Sequence, residues 1–157
     1  MRPIAIALGS NLGNRSAAIA FASARLSELL SNFKVSDVIE TWPQGPGAEE
    51  QNLYLNAVAT GESELTARQI LDALLAIELD CGRERPYPNA ARTLDLDLIL
   101  AGDQIIVEEG LEVPHPRFRD RFFVLGPLAE IAPDLVDPIT GMRVGELLKA
   151  LLRDEDR

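Results

Sequence analysis

The chain has one cysteine, Cys81, and one histidine, His115, among 157 residues. A lone cysteine rules out an internal disulfide, so a reducing, cytoplasmic setting is expected. No residues have zinc-ligand spacing, and no cysteine–histidine pair or serine elbow is present. The G-x-x-x-x-G-K-[ST] and G-x-G-x-x-G patterns are also missing, which excludes P-loop and dinucleotide-type phosphate binding. Positive charge is short: 15 Lys and Arg stand against 25 Asp and Glu, a net charge of −10. Such a chain is a poor partner for nucleic acid or an anionic membrane, and any anion it binds must meet a local basic cluster. No apolar run reaches membrane-spanning length, and Pro3–Leu8 is too short for a signal-peptide core. What is there, 46% hydrophobic and 25% charged residues, fits one soluble domain over 1–157 with a sizeable core.

Periodicity orders the chain. Residues 3–8 read as a buried strand, and Gly9–Asn14 as a turn cluster. Ile19, Ala22, Leu26, Leu29 and Leu30 recur at helical spacing within 16–30. Residues 34–40 and 53–60 read as strands, separated by the Pro- and Gly-rich loop 41–52. Thr66-Ala-Arg-Gln69 has the capping-box pattern, opening a helix with Ile70, Leu71, Leu74 and Ile77 that ends at Cys81-Gly82. After the irregular stretch 83–91 come strands over 93–101 and 105–107 around a Gly102-Asp103 turn, read as a hairpin. Residues 110–121 read as loop, 121–131 as a helix stopped near Pro133, 138–141 as a turn and 144–152 as a last helix. The order β-α-β-β-α-β, then a hairpin and two helices, predicts an α+β fold. Its core is a ferredoxin-like split βαβ unit, an antiparallel sheet flanked by helices.

The most informative stretch is Arg92–Leu100. Strict alternation puts Leu94, Leu96, Leu98 and Leu100 on one face of a strand, and Thr93, Asp95, Asp97 and Ile99 on the other. Two carboxylates spaced this way lie about 6.6 Å apart and point the same way, which suits oxygen ligation of hard cations such as Mg²⁺. The competing reading is a solvated edge strand. The density of leucine favours a central strand, where two like charges need compensation. Six arginines fall in two short stretches, Arg83, Arg85, Arg92 and Arg117, Arg119, Arg121. Singly each reads as surface charge; together they favour a polyanion site, since guanidinium groups bind phosphate oxygens in pairs. His115, within Pro-His-Pro between these runs, is a candidate phosphate contact. Aromatics are only 5% of the chain, yet Tyr54, Phe123 and Trp42 lie in or beside the irregular stretches. Their rings could stack on a flat heterocycle or pack in a core.

Seven pieces resemble the 6-hydroxymethyl-7,8-dihydropterin pyrophosphokinase family. They are A-L-G-S-N-L-G-N (7–14), E-T-x-P-x-G-P (40–46), Y-L-N-A-V (54–58), I-E-L-x-x-G-R-x-R (77–85), R-T-L-D-L-D-L (92–98), V-P-H-P-R (113–117) and R-x-F-V-L-x-P-L-x-E-I-A-P (121–133). They run in family order over almost the whole chain. The resemblance implies transfer of pyrophosphate from ATP to the pterin hydroxymethyl group, with AMP leaving, in folate biosynthesis. Asp95 and Asp97 would hold two Mg²⁺ ions. Arg83 and Arg92 would neutralise the transferring group, and Arg85, His115 and Arg121 would contact phosphates. Tyr54 and Phe123 would sandwich the pterin, with Asn56 and the Thr41 region bonding its edge. The Leu98 backbone would meet the adenine, and Glu78 would stand close to the site. The stretches 9–14, 41–52 and 83–92 would act as lids excluding water. A monomer acting on small molecules is expected, without nucleic-acid or membrane partner. Asn89-Ala90-Ala91 departs from the Trp-Gly-Pro that many family members carry before the arginine matching Arg92, and Trp42 is a candidate substitute cover. A non-catalytic binding paralogue and a nucleotide-free interaction module are the alternatives. Magnesium-dependent ATP binding separates the last from the other two.

Overall fold

The computed structural model describes residues 1–11, 14–41, 53–82 and 94–155. Strands β1 (Arg2–Ser10), β2 (Ser31–Val35), β3 (Ile39–Thr41), β4 (Tyr54–Ser63) and β5 (Asp95–Ala101) form a five-stranded antiparallel sheet. Its order is β2-β4-β1-β5, with β3 also paired to β4. That is the strand order of a split βαβ core whose second strand has broken in two.

Helices α1 (Arg15–Leu29) and α2 (Ala67–Cys81) cover one face of the sheet, and α3 (Phe122–Ile131) and α4 (Val144–Glu155) the other. Ile19, Ala22 and Leu26 of α1 and Ile70, Leu74 and Ile77 of α2 are buried against Ile4, Ile6, Leu8, Leu96 and Leu98. The opposite core joins Ala5, Ala7, Val58, Ile99 and Leu100 to Val124, Leu125, Leu128, Val144 and Leu147. The capping box that opens α2 is complete: the Gln69 N–H donates to Thr66 Oγ1 at 3.1 Å, and the Thr66 N–H to Gln69 Oε1 at 2.9 Å.

Several expectations are corrected. The strand read over 34–40 is two short strands, because Ser36 interrupts the ladder. Its Oγ accepts the Val58 N–H at 2.9 Å, a side chain standing in for a strand carbonyl. Gly9 and Ser10 belong to β1, and Asn14 caps α1 by accepting the Ala17 N–H at 3.0 Å, so these parts of the 9–14 stretch are not a turn or lid. Strand β5 is an edge of the sheet rather than central: among the described residues it is laddered to β1 alone. Its strict alternation also fails after Leu98. A register shift between Ala5 and Ile6 swings Leu100 to the Ile99 face and leaves Ala101 with Leu98. The Gly102-Asp103 turn forms, but β6 (Ile106–Glu108) pairs with β7 (Leu111–Val113) and not with β5. The hairpin turn is Glu109-Gly110, and the left-handed backbone at Gly110, φ +77°, is what requires glycine there. Residues 110–121, read as loop, contain β7 and a 3-10 turn at Phe118–Asp120.

Candidate active site

The site lies where the α3/α4 face of the sheet runs out beyond the N-terminus of α3. Residues paired across an antiparallel ladder share a face. Gly9 pairs with Asn56 of β4 on one side and Asp95 of β5 on the other. One step inward, Ala7 pairs with Val58 and Asp97. Asn56 and Asp95 are thus two strand spacings apart, about 10 Å, with only a glycine between them. An added Cβ at Gly9 would meet nothing nearer than Asn56 Oδ1, at 3.5 Å. The central strand therefore supplies a floor of small residues, and its neighbours supply polar banks.

Thr41, Tyr54, Arg121, Phe123 and Val124 wall this trough, and Asp95 and Asp97 open into it. Asn56 is buried, and its Nδ2 donates to Thr41 Oγ1 at 2.6 Å. That bond orients the carboxamide and leaves Oδ1 as an acceptor. Arg121 is the N-cap residue of α3, and its guanidinium lies 5.7 Å from the centroid of the Phe123 ring. One short segment thus carries both an aromatic wall and a cation. Tyr54 and Phe123 are each half-buried, a state in which a ring keeps a face for a ligand.

A second cleft opens on the outer side of β5. It is lined by Leu71, Leu96, Asp97, Leu98, Leu111 and His115, among others. Arg68 of α2 holds the β6–β7 hairpin along it, donating to Glu108 at 2.9 Å and to the Glu109 carbonyl at 3.3 Å. The Leu96 N–H points outward, since it donates to Glu78 Oε2 at 2.7 Å. Two residues on, the pleat turns the Leu98 backbone N–H the same way, toward this cleft. The His115 N–H donates to the Ile99 carbonyl at 2.9 Å, which fixes the imidazole beside the strand. The Arg117 N–H donates to Nδ1 at 3.2 Å, so the neutral ring carries its proton on Nε2. Burial pushes the imidazole pKa below its ordinary 6.5, although Asp97 pulls it upward.

Asp97 belongs to both clefts. Of the expected site residues, Thr41, Tyr54, Asn56, Asp95, Arg121 and Phe123 come together with it in the first cleft, and Leu98 and His115 in the second. Glu78 lines neither; it is buried behind β5. The arginine cluster divides. Arg119 turns away to Asp137, which accepts from its Nε and, at 2.8 Å, from its Nη2. Arg83, Arg85 and Arg92, with Trp42 and Asn89-Ala90-Ala91, lie outside the described residues, as do 42–52 and 83–92. Gly9 and Ala7 as a floor are not part of the turn-and-lid expectation for 9–14. The signal was present as small residues alternating along a strand, a pattern that marks close approach of another group. Leu71 and Leu111 of the second cleft gave no local signal.

The donor set facing the trough is two carboxylates on one strand. That fits an oxygen-preferring cation such as Mg²⁺, which takes few protein ligands and completes its shell from phosphate oxygens and water. No group of three or more His, Cys, Asp or Glu side chains fit to hold a metal forms among the described residues. No helix among the described residues is long and apolar enough to cross a membrane.

Comparison with known proteins agrees with the geometry. The pyrophosphokinase of Haemophilus influenzae called 2-amino-4-hydroxy-6-hydroxymethyldihydropteridine pyrophosphokinase is 42% identical over 92% of this chain and 89% of its own length. The protein of the same name from Pseudomonas aeruginosa is 41% identical over 92% and 89%. The chain also matches part of the folic acid synthesis protein fol1 of Pneumocystis carinii at 36% identity, spanning 94% of this chain but only 20% of that one. In structure it superposes on wild-type Plasmodium falciparum HPPK-DHPS with a TM-score of 0.73, covering 98% of this chain and 45% of that one, at 12% identity. At that identity the likeness speaks for the fold alone. Residues 5–133 match the sequence profile of 7,8-dihydro-6-hydroxymethylpterin-pyrophosphokinase (HPPK), and the chain belongs to that family.

Proposed function

We propose that the chain transfers pyrophosphate from ATP to the hydroxymethyl oxygen of 6-hydroxymethyl-7,8-dihydropterin, releasing AMP, in folate biosynthesis. It does so as a cytoplasmic, monomeric enzyme whose one domain spans 1–157. The observation that carries this reading is the wall shared by the two clefts. Asp97 borders both a trough with aromatic walls and polar banks and a cleft lined by leucines, the Leu98 edge and His115. A flat pterin suits the first and an adenine nucleotide the second, so the reacting ends meet at Asp95 and Asp97.

Tyr54 and Phe123 stack on the pterin, and Asn56 with Thr41 reads its hydrogen-bonding edge. The Leu98 backbone pairs with the adenine. His115, through Nε2–H, and Arg121 donate to phosphate oxygens. Arg83, Arg85 and Arg92 take the phosphate roles that the family resemblance assigns to them. Asp95 and Asp97 would hold two Mg²⁺ ions, which when bound would screen the triphosphate charge and polarise the bond that breaks. The attacking oxygen forms a bond to the β-phosphorus and gives up its hydroxyl proton to solvent, the bond from that phosphorus to the oxygen bridging it to the α-phosphate breaks, and AMP departs with the pair. Positioning and charge stabilisation dominate such a transfer, which fits a chain with a single histidine.

Product analysis tests the proposal directly. Purified protein with ATP, Mg²⁺ and the dihydropterin should yield AMP in step with a pyrophosphorylated pterin. Formation of ADP would mean γ-phosphoryl transfer or hydrolysis and would refute it.

A further inference from the structure

An edge strand carrying two metal-binding carboxylates poses a mechanical problem. On its outer side no neighbouring strand among the described residues fixes the pleat, and the spacing of two side chains follows the pleat. The residue between the two carboxylates is Leu96, and its N–H points to that outer side. There it donates to Glu78 Oε2 at 2.7 Å. Glu78 comes from α2, held in register by its capping box and by Ile70, Leu74 and Ile77 in the core. It is only 8% exposed and lines neither cleft. A carboxylate so buried carries a desolvation cost that needs a specific bond to offset it.

We propose that Glu78 is a positioning residue: its carboxylate replaces the missing strand at Leu96 and sets the peptide planes on either side. Asp95 and Asp97 then present their oxygens to one cation–phosphate assembly. This rests on the reading of those two aspartates as metal ligands. The bond from the Leu96 N–H needs an acceptor at that reach, which a carboxamide of the same length supplies as well as the carboxylate. A charged group one methylene shorter should not reach.

The test crosses those two properties. Glu78→Gln keeps the acceptor and loses the charge; Glu78→Asp keeps the charge and loses the reach. Mn²⁺ is titrated by its electron-spin signal in the presence of a non-hydrolysable ATP analogue, and Leu96 amide exchange is followed by nitrogen-15 NMR. We expect Glu78→Gln to bind Mn²⁺ within about threefold of wild type with Leu96 still protected. Glu78→Asp should bind about 10- to 100-fold more weakly, the usual effect of losing a group that orients a metal ligand, with Leu96 exchanging faster. Weak binding by the Gln variant, or wild-type binding by the Asp variant, overturns the proposal. Should Glu78→Asp fail to fold, loss of Leu96 protection in the Gln variant still overturns it. Asp97→Asn is the control. If it binds Mn²⁺ as tightly as wild type, the metal-ligand reading fails and takes this proposal with it. If it binds weakly while the Glu78 variants disobey, only the positioning role fails.

Discussion

Arg119 sits between Arg117 and Arg121 in the sequence, yet its guanidinium is committed to Asp137, so replacing Asp137 by Ala separates structural from substrate-binding charge. The Asp137 side chain is fully buried. It accepts from two guanidinium nitrogens of Arg119, from Thr140 Oγ1 at 2.8 Å and from the Ile139 N–H at 3.1 Å. Breaking a buried ion pair by removing one partner costs about 3–5 kcal/mol. The Arg119 side chain is 21% exposed, so water reaches the orphaned cation and the lower end, about 3 kcal/mol, applies. For a chain of this size that lowers the melting temperature by about 6–12 °C. Burial alone would raise the Asp137 pKa, but the bonds from Arg119, Thr140 and Ile139 outweigh it and hold the carboxyl below its ordinary 3.8. The stability it supplies is therefore complete above pH 3.8 and is lost as the pH falls below that value. Asp137→Asn should flatten acid unfolding in that window. The assay is urea and thermal unfolding followed by circular dichroism, with steady-state kinetics on Arg119→Ala at a temperature where it is folded. The KM for ATP should stay within about twofold, because Arg119 lines neither of the two clefts. A stability loss under about 1 kcal/mol together with a tenfold rise in that KM would refute the assignment.

Asp97 is exposed on its strand, so Asp97→Ala should leave the melting temperature unchanged while turnover falls about 10³-fold, the several kcal/mol a polarising metal supplies. Near-normal rates would remove Asp97 from the machinery. Thr41→Val deletes the acceptor that orients Asn56, and the pterin KM should rise about fivefold for a net bond of about 1 kcal/mol with kcat little changed. Gly9→Ala places a methyl on the trough floor without a clash in the protein, so it should fold normally yet bind pterin poorly; unaltered pterin affinity would show that the trough has another occupant. The His115 imidazole should titrate below pH 6.5 by NMR in the free protein, and Asp97→Asn should move it further down, since the Asp97 charge raises it. An upward shift in that variant would contradict the placement of His115 beside Asp97.

The alternation of leucine and aspartate over 94–98 determined a two-faced strand, and the Thr66–Gln69 pattern determined a helix start, because both are set by neighbours a few residues away. The same locality made Asp95, Asp97, Tyr54 and Phe123 legible as candidates, since carboxylates and rings declare their chemistry wherever they fall, whereas Asn56 came from the family resemblance alone. Whether β5 is central or an edge is decided by which other strands reach it, and no local pattern carries that. The register shift beside Ile99, which sends Leu100 to the opposite core, likewise depends on how β1 and β5 meet. Arg119 and Arg121 have the same chemistry two residues apart, and only the fold, by bringing Asp137 to one and the trough to the other, gave them different surroundings. Glu78 reads from the sequence as one acidic residue on a helix. Its bond to Leu96, 18 residues away, exists because α2 packs under the edge of β5, a contact that tertiary structure alone supplies.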